Sequence, residues 1–134
     1  MEKPADDFTC SEQTRQRTPL EWAWTKAALG DALQLLAERD GNTENLIRAI
    51  GVYRAALSER PQKFAPRDWA WTQVDLGDAF LSLGERLGGA GYFRQAVVAY
   101  EAALSEKEAA GIDPLLIQPV LSRAKLRLGE EERK

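Results

Sequence analysis

Apolar residues recur at helical spacing along two stretches of the chain. The first stretch has apolar residues separated by seven, four and three positions: Trp22, Leu29, Leu33 and Leu36. This spacing places them on one face of an α-helix. The second stretch keeps a three-and-four spacing: Leu46, Ala49, Ile50, Tyr53, Ala56 and Leu57. The pattern predicts two amphipathic helices, over residues 19–39 and 43–60.

Capping residues mark where these two helices begin. Thr18 is a predicted N-cap, Pro19 suits the first helical position, and Glu21 completes a capping box. The Asp-Gly-Asn segment at 40–42 interrupts the first helix, and Thr43 caps the second. The two helices are therefore separate elements joined by a short turn.

Both stretches return later in the chain without insertion or deletion. Trp-Ala-Trp-Thr at 22–25 recurs at 69–72, a shift of 47 residues (69 minus 22). Leu-Gly-Asp-Ala at 29–32 and Ala-Ala-Leu-Ser-Glu at 55–59 recur at the same shift. A fixed internal period of this size is the signature of stacked helical repeats. One helix pair cannot bury its apolar stripe alone, so neighbouring pairs must stack.

The second copy predicts a second helix pair, over residues 66–87 and 92–109. The glycine-rich segment 88–91 separates its two helices. Its first cap is weaker than in the first copy, because Ala65 stands where Thr18 stood and cannot accept a hydrogen bond. We expect this helix to begin less firmly than its counterpart.

A fifth helix is predicted over residues 114–128. Its "LRLGEE" echoes the "LSLGER" of the second copy at a shift of 45 residues (128 minus 83), but it lacks the two tryptophans. Pro119 interrupts its first turns, so the helix is expected to be short or kinked. It is suited to close the stack.

These elements define the predicted domain organisation. Ser11 and Glu12 match Ser58 and Glu59 at the 47-residue shift, as expected for the tail of a preceding unit. Residues 1–17 are therefore predicted to be a flexible segment or the remnant of a preceding repeat. The helical repeat domain is predicted over 18–131, with repeat one at 19–61, repeat two at 66–109 and a capping helix at 114–128.

The spacing of small and large residues resembles that of the tetratricopeptide repeat. The residues that carry the resemblance are, in repeat one, Leu29, Gly30, Leu33, Ala49, Tyr53, Ala56 and Pro61, and in repeat two, Leu76, Gly77, Phe80, Ala96, Tyr100 and Ala103. Units of 47 residues exceed the ordinary length of about 34 and are similar to the extended repeats of kinesin light chains and many bacterial arrays. The resemblance implies an all-α fold, a right-handed α-solenoid of stacked antiparallel helix pairs with a C-terminal capping helix.

The resemblance also implies a binding surface. In this family the first helices of successive pairs line a concave groove that holds a peptide or a segment of a partner protein. The residues at the corresponding positions are Trp24, Ala27, Asp31 and Gln34 in repeat one and Trp71, Val74, Asp78 and Leu81 in repeat two. Relatives that grip a carboxylate tail use Lys and Asn on this surface, whereas this chain has acidic residues there. The expected partner is therefore basic and apolar.

Other roles are open for the same residues. The tryptophans can pack between helix pairs, as large aromatic residues at helical spacing often do. The aspartates can be solvated or paired with a nearby arginine. Glu38–Arg39 and Glu85–Arg86 recur at the ends of the first helices, where we expect the arginines to bridge to a neighbouring pair.

Composition and charge narrow the range of partners. The 134 residues are 44% hydrophobic and 29% charged with a net charge of -3, typical of a globular protein without a basic footprint for nucleic acid or an anionic membrane. We expect neither partner. The start, "MEKPADDFTCSEQ", lacks the pattern of a signal peptide, so a cytoplasmic location is expected.

The residue inventory argues against catalysis. The chain has no histidine and one cysteine, Cys10, which removes serine–histidine and thiolate–imidazole chemistry. The carboxylates related by the repeat have similar environments, unlike an acid–base pair, and the "GGAG" segment lacks the Lys-Ser/Thr of a phosphate-binding loop. No enzyme activity, cofactor or metal is expected. The predicted function is that of a protein-binding scaffold, and the alternative is self-assembly, with copies stacking end-to-end through incompletely capped repeats.

Overall fold

A computed structural model describes residues 19–59 and 65–134, and within these ranges all regular structure is helical. The elements are α1 (Pro19–Asp40), α2 (Thr43–Glu59), α3 (Pro66–Leu87), α4 (Ala90–Ser105), α5 (Lys107–Ala110), a 3-10 turn (Pro114–Leu116) and α6 (Gln118–Glu132). The all-α prediction is confirmed. Within these ranges, none of the helices combines the length and the apolarity that a membrane crossing requires.

The first helix of each repeat agrees closely with its predicted bounds. α1 extends one residue beyond the prediction, and α3 begins and ends where it was predicted. Ala65 provides no side-chain cap, as expected, yet α3 still begins at Pro66, and the amide of Trp69 donates to the carbonyl of Ala65 at 2.9 Å. Proline fixes the backbone angle that the first helical position requires. The predicted cap at Thr18, the segment 1–17 and the end of repeat one after residue 59 lie outside the described residues.

The later elements differ from their predicted bounds. The fourth helix was predicted over 92–109, but α4 covers Ala90–Ser105 and the chain bends at Glu106 before the short α5. The fifth helix was predicted over 114–128, but its first three residues form the 3-10 turn, and α6 runs from Gln118 to Glu132. Pro119 lies in the first turn of α6, where its missing N–H is tolerated. The closing helix is thus shortened at its start, as Pro119 predicted.

Helices adjacent in the chain pack against one another. α1 packs on α2, α2 on α3 and α3 on α4, while α6 packs on α4 much as α3 packs on α2. Within the second pair Gly77 lies against Tyr100 and Gly84 against Phe93, so the two helices run antiparallel.

Glycine allows the two helices of each pair to approach closely at one repeated point. A Cβ atom on Gly30 would lie 2.5 Å from Cε1 of Tyr53, and one on Gly77 would lie 2.7 Å from Cε1 of Tyr100. Both tyrosines are fully buried. The ring of the second helix therefore fills the space that a side chain on the first helix would need.

The core runs from α1 to α6 without interruption. Its largest fully buried side chains include Leu46, Tyr53, Leu83, Phe93, Tyr100 and Ile117. A smaller cluster lies where α1 begins, formed by Trp22, Ala23, Ala27 and Ala56. The continuity of the core across both repeats holds α1 and α3 side by side, which positions the candidate site.

Candidate functional site

Two adjoining depressions lie between α1 and α3, on the surface that the predicted binding residues share. One has a volume of about 230 Å³ and is lined by Asp31, Gln34, Leu35, Glu38, Asp75 and Asp78. The other has a volume of about 260 Å³ and is lined by Trp24, Ala27, Ala28, Asp31, Asp68, Trp71, Thr72 and Asp75. Because Asp31 and Asp75 line both, the two depressions form one surface, called here the α1–α3 groove.

The structure brings most of the predicted binding residues to this groove. Six of the eight line it: Trp24, Ala27, Asp31, Gln34, Trp71 and Asp78. Trp24 is 54% exposed, whereas Ala27 and Gln34 are nearly buried. The remaining two, Val74 and Leu81, are buried in the core and line neither depression.

The two repeated aspartates accept hydrogen bonds from buried tyrosines of the second helices. The Tyr53 hydroxyl donates to Oδ1 of Asp31 at 2.6 Å, and the Tyr100 hydroxyl donates to Oδ1 of Asp78. For these aspartates we expected solvation or an arginine partner, and the tyrosine partners were not predicted. The available signal was the identical separation, because each tyrosine follows its aspartate by 22 residues.

These pairs keep the tyrosines protonated. Burial, together with the adjacent carboxylate, raises the pKa of Tyr53 and of Tyr100 far above the ordinary value of 10.0. Both phenols are hydrogen-bond donors at neutral pH, as an ordinary tyrosine is, and the raised pKa extends this role to more alkaline pH. Each repeat thus uses one side-chain carboxylate both as a groove residue and as an anchor for its hairpin.

The carboxylates of the groove influence one another. Burial raises the pKa of Asp78, and the negative charges of Glu38 and Asp31 raise it further, while the hydrogen bond from Tyr100 opposes these effects. The net result is a pKa above the ordinary range. Like charges close enough to shift a pKa favour a cation nearby, because a cation relieves their repulsion.

Gln34 ties three helices together beneath the groove. Its Nε2 donates to the Tyr53 hydroxyl at 2.9 Å and to the backbone carbonyl of Asp75 at 3.2 Å. The first contact joins α1 to α2, and the second joins α1 to α3. Gln34 is 9% exposed, so it belongs to the floor of the groove rather than to its solvent-exposed surface.

Trp24 is tethered to the next repeat. Its Nε1–H donates to Oδ2 of Asp68 at 2.7 Å, which joins the two helices at the end of the groove opposite Glu38. Trp22, two residues earlier, is 5% exposed and belongs to the small buried cluster. The two tryptophans of the repeated motif therefore have different environments, and Trp24 is the one that a ligand can reach.

The lining of the groove is acidic. Its five carboxylates are Asp31, Glu38, Asp68, Asp75 and Asp78, and its lining residues include no lysine or arginine. Among the residues that the structure describes, no group of three or more His, Cys, Asp or Glu is arranged to hold a metal ion. The groove offers carboxylates, an indole face and apolar walls, which suit a cationic side chain beside apolar ones.

The charged residues at the ends of the first helices connect neighbouring elements. Nη2 of Arg86 donates to the carbonyl of Ala37, near the end of α1, at 2.9 Å. Glu85 accepts from Nε of Arg123 on α6 at 2.8 Å. The predicted bridge from a terminal arginine to a neighbouring pair is confirmed for Arg86.

Neither the models of protein families, nor the curated proteins, nor the solved structures gave a match to this chain. The geometry and charge of the α1–α3 groove therefore carry the functional argument.

Proposed function

We propose that this chain is a protein-interaction module of the tetratricopeptide kind, which holds a basic and partly apolar segment of a partner protein in the α1–α3 groove. It acts as a scaffold with no catalysis of its own. In this proposal the two helix pairs and α6 form a right-handed α-solenoid. The first helices line its concave side.

The packing of the helices supports the solenoid. Each helix pair places a glycine of its first helix against a tyrosine of its second, and the pattern recurs after one repeat. α6 then packs on α4 as α3 packs on α2. In a solenoid, by definition, each repeated unit contacts mainly its neighbours.

The observation that carries the binding proposal is the concentration of carboxylates in one groove. Five acidic side chains from α1 and α3 line two adjoining depressions without a basic residue among the lining. At distances of a few ångströms near a protein surface, one ion pair contributes a few kcal/mol before desolvation and entropy are subtracted. A segment with two or more Lys or Arg residues gains from several such pairs at once.

The tryptophans supply the second component of recognition. Trp24 and Trp71 line the same depression as Asp31, Asp68 and Asp75. A lysine or arginine over an indole face gains about 0.5–2 kcal/mol from cation–π attraction, and apolar neighbours in the ligand can cover the exposed ring. A ligand that alternates cationic and apolar side chains therefore fits this surface better than a purely charged one.

The test uses synthetic peptides of two kinds, with Lys or Arg interspersed among Leu and Phe, and with Glu in place of the cations. Binding is followed by titration calorimetry and by the emission of the groove tryptophans at low and at physiological salt. The basic peptides should bind and the acidic ones should not. Affinity should fall as salt rises, because the groove carboxylates are partly exposed to solvent.

Asp75→Lys combined with Glu38→Lys is the diagnostic variant, because neither residue accepts the tyrosine hydrogen bonds that anchor the hairpins. It should weaken binding of the basic peptides by about tenfold or more, equivalent to about 1.4 kcal/mol. Glu108→Lys is the matched control, since Glu108 is exposed on α5 outside the groove. Equal loss in the control, or none in the diagnostic variant, would contradict the assignment of the groove.

A further inference from the structure

An apolar stripe on α1 is exposed, whereas the corresponding residues of α3 are buried. Leu29 is 39% exposed and Leu36 is 43% exposed, whereas their counterparts Leu76 and Leu83 are 7% and 1% exposed. Ala32 is exposed as well, and its counterpart Ala79 is fully buried. The difference arises because α2 packs against α3, and the described residues place no helix on this side of α1. The stripe formed by Leu29, Ala32 and Leu36 is called here the outer face of α1.

Two other candidates to cover the outer face are the sequence before α1 and the α6 end of another copy, and neither matches it. At the 47-residue shift, Lys3 and Asp6 stand where α2 has Ile50 and Tyr53, so the sequence before α1 lacks two of the apolar residues that α2 buries. At the opposite end of the stack, α6 carries several ion pairs, and Leu115 and Leu116 of the preceding 3-10 turn are 72% and 60% exposed. Lys125 of α6 pairs with Glu101 at 3.4 Å.

Two further ion pairs lie at the α6 end of the stack. Arg123 pairs with Glu85, and Arg94 with Glu132 at 3.3 Å. These contacts bind α6 to α3 and α4 and surround it with charge. Leu126 remains 63% exposed on α6, as a single leucine among charged neighbours rather than a stripe.

The outer face of α1 is complementary to itself when two copies run antiparallel. Glu21 lies at its beginning and Arg39 at its end, and both are exposed. An axis between Leu29 and Ala32 sets Leu29 opposite Ala32 of the partner subunit and Leu36 opposite Thr25 of the partner subunit, so each leucine faces a smaller side chain. The same axis brings Glu21 close to Arg39 of the partner subunit, and symmetry forms this ion pair twice.

We infer that a second copy of this chain covers the outer face of α1, in a two-fold antiparallel α1–α1 pair. The stripe from Glu21 to Arg39 is about 27 Å long at 1.5 Å per residue. One helix face is smaller than a standard protein interface, so we expect a weak dimer whose population depends on concentration. The α1–α3 groove lies on another side of α1 and stays open, so a dimer presents two grooves.

Sedimentation of the full chain from about 1 to about 300 μM tests the inference. The mass should rise from one chain to two and no further, because the interface is closed by its own symmetry. Leu29→Glu with Leu36→Glu should keep the chain monomeric throughout. Both side chains are substantially exposed in the single chain, so the helical circular dichroism should be unchanged.

Leu126→Glu is the matched control at the other end of the stack and should leave the dimer intact. A chain that stays monomeric at every concentration overturns the inference. So does a dimer that survives the Leu29 and Leu36 substitutions. Continued growth in mass beyond two chains, or loss of association in Leu126→Glu, would indicate end-to-end stacking through α6 instead.

A charge exchange tests the antiparallel register. Glu21→Arg alone and Arg39→Glu alone should each weaken the dimer several-fold, because each places like charges together at both ends of the pair. The double variant Glu21→Arg with Arg39→Glu should recover most of the affinity. A double variant weaker than either single variant would overturn the antiparallel arrangement.

Discussion

Repeat one and repeat two pack their two helices together through residues that are partly the same and partly different. At the midpoint of each hairpin they agree, with a glycine beneath a buried tyrosine and an aspartate that accepts the tyrosine hydroxyl. Closer to the turn they differ. Repeat two has Gly84 against Phe93, while the corresponding positions of repeat one are Ala37 and Leu46, both fully buried. A smaller residue on the first helix accompanies a larger ring on the second.

The comparison shows which features of the repeat are fixed and which are exchangeable. The tyrosine–aspartate pair is a polar contact in a buried position, and a buried hydroxyl needs a partner. It is therefore the same in both copies. The apolar contact near the turn has only to fill a volume, so alanine with leucine and glycine with phenylalanine are equivalent solutions.

The repeats also differ in how each meets its neighbour. Gln34 of repeat one donates to the carbonyl of Asp75 in repeat two. The corresponding residue of repeat two is Leu81, which is 6% exposed and belongs to the core. The contact from repeat one to repeat two is thus partly polar, whereas the same position on repeat two makes an apolar contact.

The largest expected effect comes from adding a methyl group at the shared glycine. Gly30→Ala and Gly77→Ala should each lower the free energy of unfolding by about 2 to 3 kcal/mol, because the new Cβ overlaps an anchored tyrosine ring. Urea titration followed by circular dichroism measures the change. Gly51→Ala is the matched control, since a Cβ there meets nothing within 4 Å. It should stabilise α2 by about 0.5 to 1 kcal/mol.

An intermediate effect should follow from replacing the apolar residue pair near the turn of repeat two with the pair that repeat one has there. Gly84→Ala alone should cost about 1 to 2 kcal/mol, because its Cβ would lie 2.7 Å from the Phe93 ring. Adding Phe93→Leu recreates the Ala37–Leu46 pair of repeat one and should recover part of that loss. A double-mutant cycle by urea unfolding measures the coupling. If the two changes in the free energy of unfolding were simply additive, the two residue pairs would not be equivalent.

The smallest effect concerns the pH dependence of stability in repeat two. The pKa of Asp78 is raised above its ordinary value of 3.8 by burial and by the carboxylates of Glu38 and Asp31. The folded protein therefore retains this proton at pH values where the unfolded chain has lost it. The stabilising contribution is complete below pH 3.8 and is lost as the pH rises through the raised pKa.

Asp78→Asn should remove that part of the pH dependence and leave the remainder, while its amide oxygen can still accept from Tyr100. Urea midpoints measured from about pH 3 to about pH 7 compare the two proteins. Glu108→Gln serves as the control, because Glu108 lies outside the groove. Parallel profiles for Asp78→Asn and the unaltered protein would show that Asp78 titrates as it does in the unfolded chain.

Several helix ends were predictable because single residues determine them. Pro66 begins α3, and Pro119 limits the start of α6. The bend at Glu106 was not predicted. Repeat two has Glu108 where repeat one has Pro61, so the chain continues into the short α5 after the bend.

The candidate site was predictable in outline but not in its contacts. The resemblance implied that the first helices line a groove. Helical spacing then placed Trp24 and Asp31 on one face of α1 and Asp78 at the equivalent position of α3, because side chains three and four positions apart share a face. The same spacing could not show that Val74 and Leu81 are buried, since burial depends on the neighbouring helices. Nor does periodicity within one helix reveal a hydrogen-bond partner on another helix.

The two donor contacts of Gln34 have a consequence for how the molecule opens. Because one amide group bonds to the Tyr53 hydroxyl and to a backbone carbonyl of α3, separation of the two repeats breaks a contact of the same residue that holds the hairpin of repeat one together. Amide hydrogens in α1, α2 and the middle of α3 should therefore exchange with solvent at a common rate, as one cooperative opening unit. Fraying of the last helix would leave that unit intact.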